Sequence, residues 1–163
     1  MAELLTHVLV PYLLLTPASW RFRWLHRRWI VIAMAGAAIP DLVKVGIVLD
    51  NGLIESVTGL PFSYAPISSL AGVLVIAGAI ALLFADRSRR AYGYLFFGGV
   101  SSLALDGMRV FADGRADFWL YPLWWRPPTP SLYVTSDPRV TVLSVTATLA
   151  VFLADRYRNE ETN

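Results

Sequence analysis

The stretch Phe96–Phe111, FFGGVSSLALDGMRVF, decides how the chain is read. It is apolar and small-residued, suited to lipid, yet it carries Asp106 and Arg109 three positions apart. An ionisable group at the centre of a membrane helix costs about 2.5–3.5 kcal/mol on insertion scales, so each needs a partner or water.

Composition supports the membrane setting. The chain has 163 residues, 56% hydrophobic and only 16% charged, with a mean hydropathy of +0.52, against roughly 25% charged in soluble domains. The apolar runs are spread along the whole length, which predicts one polytopic all-α domain over 1–163 rather than a soluble domain with an anchor. With no cysteine, disulfide-linked partners and thiolate metal sites are excluded.

Five segments read as membrane helices: 3–16, 29–49, 68–85, 91–112 and 139–156. The first is short and contains Pro11, so the bundle has four or five spans depending on whether it crosses. It reads as a retained helix rather than a signal peptide. The connection 113–138 is long, Pro-rich and aromatic, with Trp119, Tyr121, Trp124, Trp125 and Tyr133 placed for a membrane interface. It reads as an extramembrane plug or contact surface. Asp137 and Pro138 suit the cap and first turn of the last helix.

The basic residues are 13 Arg and one Lys, mostly in short blocks beside the apolar runs. Arg21, Arg23, Arg27 and Arg28, then Arg87, Arg89 and Arg90, then Arg156 and Arg158 fall on one side, against Arg115, Arg126 and Arg139 on the other. The positive-inside rule puts the larger group and the C-terminus in the cytoplasm of a multi-pass cell-membrane protein. The same pattern argues against a nucleic-acid partner and leaves the lipid bilayer and other membrane proteins. His26, among these arginines, reads as a headgroup contact.

Five ionisable groups lie inside the apolar runs: His7, Asp41, Lys44, Asp106 and Arg109. From the cytoplasmic side, Asp41 lies about 18 Å along its segment and Asp106 about 22 Å along its own. Both are in the outer half, and His7 joins them if the first segment crosses. A His with two carboxylates suits a divalent metal that activates water. Equally, Asp41 with Lys44 and Asp106 with Arg109 share helical faces and can cancel in pairs. Ser102 as a nucleophile with His7 as base is a weaker alternative to close helix packing at GGVSS.

Four blocks in order, THVLVPYLLL, GAAIPDLVK, GGVSSLALD and YPLWWRPPTPSLYVTSDP, resemble the YdjM-like inner-membrane proteins, the membrane-bound metal-dependent hydrolases, in their archaeal branch. The resemblance implies that His7, Asp41 and Asp106 occupy ligand positions. It also implies histidines where this chain has Ser68 and Ser102. Serine is a poor ligand for zinc or a similar divalent ion, so the resemblance leads to a degenerate site with no resident metal and a structural or interaction role. The alternative is an active hydrolase of a lipid or phosphoester, with Lys44 or Arg109 holding an anionic group. A transporter is disfavoured by the short chain and the lack of an inverted repeat.

Overall fold

The computed structural model describes residues 2–22, 24–134 and 137–161; Arg23, counted above among the basic residues, lies outside them. Six α-helices are described: α1 (Ala2–Arg21), α2 (Arg27–Ala37), α3 (Asn51–Thr58), α4 (Leu70–Ala81), α5 (Ser88–Gly107) and α6 (Pro138–Glu161). Short 3-10 segments cover Pro40–Ile47, Ala65–Ser68 and Leu82–Arg87.

The helix ends differ from expectation for local reasons. α1 runs five residues beyond position 16, through Pro11 and Pro17. The second segment breaks: α2 and Pro40–Ile47 meet at a bend of 43°. Pro40 has no N–H for the helical ladder and its ring crowds the carbonyl one turn back. The chain tightens there, with Ile39 N–H donating to Gly36 O at 3.0 Å. α3 was not expected. It is started by Asp50, whose carboxylate accepts from Gly52 N–H at 3.0 Å, and is stopped by Gly59 at φ +69°.

Two described stretches are long and apolar enough to cross a membrane, Leu70–Gly107 and Pro138–Arg158; α2 with its bent extension makes a third if counted as one. The first is 38 residues long, about 57 Å if straight, but it is not straight. Ala85, at φ +43° and ψ −119°, folds it back, so that Gly99 lies against Val73 and Gly78 against Tyr92. α4 and α5 are therefore an antiparallel hairpin.

α5 is the centre of the bundle, packed against α2, α4 and α1, while α6 packs against α1. α2 and α5 run in the same direction: Trp29 stacks on Tyr94 at one end, and Asp41 and Asp106 approach the same histidine at the other. Small residues set their separation. A Cβ at Gly98 would meet the backbone of Ala33 and, at 2.8 Å, the nitrogen of Ala37; one at Gly36 would meet the backbone of Leu95. Where lipid is as apolar as the side chains, such close backbone packing replaces the hydrophobic effect as the force between helices. Accordingly the core is slim, with Trp29, Ala33, Val73, Ala77 and Leu103 buried, and large apolar side chains such as Val31, Val75, Leu83 and Leu143 face outward.

The arginines gather at one end. Asp155 on α6 accepts from Trp20 Nε1 at 3.0 Å and from the Arg27 guanidinium. Arg28 and Arg90 lie over the ring of Trp29, and Arg158 lies over Trp20. The polar cluster is at the opposite end.

Candidate functional site: a five-residue ionic cluster

His7 is on the first turns of α1 and is 3% exposed. Its imidazole sits between the ends of the two parallel helices. Nε2 is 3.3 Å from Asp106 Oδ1, near the C-terminus of α5. Nδ1 is 3.7 Å from Asp41 Oδ2, at the start of the 3-10 segment, which is an electrostatic contact rather than a hydrogen bond. The bend at Pro40 is what places Asp41 here.

Each carboxylate also has its own cation. Lys44 Nζ is 2.6 Å from Asp41 Oδ1; residues three apart eclipse in a 3-10 helix, so this pair is built into the segment. Arg109 Nη2 is 3.5 Å from Asp106 Oδ1. Here the geometry differs from the shared helical face expected of this pair. α5 ends at Gly107, so Arg109 lies beyond the helix, and its Nε donates to the Asp106 carbonyl at 3.3 Å. The cluster is a chain, Lys44–Asp41–His7–Asp106–Arg109, linking α1, the α2 extension and the end of α5.

The structure thus brings together His7, Asp41, Asp106, Lys44 and Arg109. The two serines behave differently. Ser102, one turn before Asp106, is fully buried and its Oγ has no hydrogen-bond partner. Ser68 closes the segment Ala65–Ser68, which packs against Pro40–Ile47, and its hydroxyl donates to Ala65 O at 3.0 Å. Ser69, not singled out from sequence, is the structural serine. It caps α4, accepting from Gly72 N–H at 3.2 Å and donating to Pro66 O at 2.6 Å. A Ser directly before an apolar helical run was the available signal.

The aromatic connection closes this end. Trp119 O and Tyr121 O accept from Leu70 N–H and Ala71 N–H at 2.8 and 3.0 Å, satisfying the first turn of α4. Tyr133 Oη donates to Leu105 O at 2.7 Å, and Thr129 Oγ1 lies 3.0 Å from Gly107 O and 2.6 Å from Arg109 O. Those carbonyls belong to the open end of α5 and its exit. Trp119 packs on Gly107, where a Cβ would come within 2.6 Å of the indole nitrogen. In this connection Asp113 is held below the usual carboxylate range by the Arg115 N–H and the Arg126 guanidinium. Asp137 Oδ1 accepts from Arg139 N–H at 2.9 Å at the start of α6, as its sequence position suggested.

A divalent ion is what the family resemblance implies, and the donors as arranged do not fit one. The two ring nitrogens of His7 point out of opposite edges toward different carboxylates, so no single point is shared by imidazole, Asp41 and Asp106. Asp41 Oδ1 already has Lys44 on it. Among the described residues, no group of three His, Asp or Glu side chains is arranged to hold a metal ion.

No family model, curated protein or solved structure matches the chain.

Proposed function

We propose that this is a multi-pass protein of the cytoplasmic membrane, derived from the membrane-bound metal-dependent hydrolases, in which the former ligand cluster serves as an ion-pair lock and the role is structural or as a partner of another membrane protein. The observation that carries this reading is His7 held between two carboxylates that each have a cation of their own. Two acids and two bases cancel, and the imidazole bridges them. Such a chain fixes the register of α1 against the parallel pair α2 and α5. Buried polar groups are best attested as devices that specify one arrangement rather than as sources of stability.

In this reading the crossings are α2 with its extension, α4, α5 and α6, with α1 as a fifth. The arginine end faces the cytoplasm together with the C-terminus, because loops rich in Arg are retained there. The cluster then lies in the outer half, under an aromatic connection outside the hydrocarbon.

Metal analysis of the purified protein beside a Ser68→His, Ser102→His double variant tests the proposal. The expected result is no stoichiometric metal in the native protein and a bound divalent ion in the variant, whose added imidazoles supply the donors the resemblance implies. Stoichiometric metal in the native protein overturns it and favours the second reading, a metal-dependent hydrolase acting on a lipid or phosphoester. The support for that reading is that the three matched positions, His7, Asp41 and Asp106, lie together at one end of the bundle.

A further inference from the structure

We propose that the lateral groove between α1, α2 and α6 binds one anionic glycerophospholipid, its phosphate at the arginine end and its chains along the bundle. This inference rests on different residues from the ionic cluster, at the other end of α1, and stands or falls independently of it.

The groove has a volume of about 970 Å³, at the upper end of small-ligand pockets. On α1 it is lined by Leu5, Leu9, Tyr12, Thr16 and Ser19. Steps of four, three, four and three residues describe one helical face about 21 Å long. Ile30, Val31 and Met34 of α2 form one wall, and Val145, Leu149 and Phe152 of α6 the other. Val31 and Leu149 are more than half exposed, so the groove opens sideways, where acyl chains would be.

Its polarity is graded. Leu5 and Leu9 lie toward the cluster end, Thr16 and Ser19 follow, and the charged residues Arg27, Asp155, Arg156 and Glu160 close the far end. Chain, glycerol oxygen and phosphate follow each other in the same order in a phospholipid.

Two observations single out this ligand. First, Thr16 is 3% exposed and its Oγ1 has no hydrogen-bond partner. A helical Thr ordinarily satisfies its hydroxyl on the carbonyl one turn back. Here its side chain lines the groove, and rotation about the Cα–Cβ bond would present the hydroxyl to a glycerol-region oxygen as acceptor. Second, Arg27 and Arg156 each use only part of their guanidinium on Asp155 and Glu160 and are exposed by 73% and 68%. Their remaining donors can take phosphate oxygens. Arg28, next to Arg27 in the chain, and Arg158, over the Trp20 ring that donates to Asp155, add positive charge at this end and favour an anionic headgroup.

The test uses the full-length protein in phosphatidylcholine vesicles containing a small fraction of phosphatidylglycerol with a photoreactive acyl chain, and maps the labelled peptides. Labelling at Leu9, Met34 and Leu149 is expected to exceed that at Val75 and Leu83, which are more exposed and lie outside the groove, by several-fold. Arg156→Gln, at an exposed position where folding is undisturbed, and the isosteric Thr16→Val should each reduce groove labelling several-fold. A photoreactive diacylglycerol, which lacks the phosphate, should label groove and outer faces alike. Even labelling by phosphatidylglycerol over all outward faces overturns the site, and groove labelling indifferent to both phosphate and Arg156 overturns its assignment to a phospholipid headgroup.

Discussion

Asp106 has two partners, the imidazole of His7 and the guanidinium of Arg109, at 3.3 and 3.5 Å. Replacing it by Asn keeps the shape and removes the charge that both neighbours face. Asp106→Asn is therefore expected to lower stability by about 1–3 kcal/mol, the cost of leaving largely buried polar groups without their partner. The double variant with Arg109→Gln should cost less than the two single changes added together, since the second change removes the group the first left uncompensated; coupling of about 0.5–3 kcal/mol is typical of residues in one network. Denaturation midpoints in detergent micelles measure both, and strict additivity counts against the lock. Lys44 is 44% exposed, so Lys44→Met should cost no more than about 1 kcal/mol. Asp113 supplies a pH signature outside the bundle. Its carboxyl is held below the usual range by the Arg115 N–H and Arg126. A depressed carboxyl contributes order to the connection above its unfolded value and loses it as pH falls through its folded value. The connection should become more protease-sensitive on acidification below about pH 4, and Asp113→Asn should show that sensitivity already at neutral pH.

At the scale of elements, the parallel pair α2 and α5 depends on the absence of side chains. Gly98→Ala would put a methyl group into the backbone of Ala33 and Ala37. Either α2 moves outward or the bundle is strained, at about 1–3 kcal/mol for overpacking of this kind. Because α2 leads to Asp41 and α5 to Asp106, the same change should also weaken the coupling of these two carboxylates through His7, which a double-variant cycle of Asp41→Asn with Asp106→Asn in the two backgrounds would show. Tyr133→Phe removes one hydrogen bond to the end of α5 and should cost about 1 kcal/mol. The sequence made part of this arrangement legible. Depth along helices rising 1.5 Å per residue placed Asp41 and Asp106 on one layer, and that arithmetic needs no tertiary information. It did not foresee the bend, although Pro40 stands in the middle of the second segment, because hydropathy runs on unchanged across it. It passed over α3, whose eight residues fall below the length at which an apolar period stands out, although Asp50 and Gly59 mark its ends. Thr129 and the hydrogen bond of Tyr133 were out of reach for a different reason. Their partners are backbone groups brought near by the return of the connection, and nothing in their own neighbourhood announces that.

For the whole molecule, charge asymmetry and geometry make the same division. The residues Arg21, Arg27, Arg28, Arg87, Arg89, Arg90, Arg156 and Arg158 are near the start of α2, the turn of the hairpin or the end of α6. Arg115, Arg126 and Arg139 are in the connection or the start of α6. The proposed orientation in the membrane rests on that split, and the chain is well suited to a direct measurement, since it has no cysteine to be removed first. Ser88→Cys, at the hairpin turn, and Ser131→Cys, in the aromatic connection, each introduce a single thiol outside the ionic cluster. In intact cells a membrane-impermeant maleimide should label the cysteine at 131 and leave that at 88 unlabelled until the membrane is opened. The reverse pattern would invert the protein, moving the cluster to the inner half and the arginines to the outer surface. Labelling of both in intact cells would put the hairpin turn on the same side as the connection, so that α4 and α5 do not cross, and the proposed arrangement of crossings would fall with it.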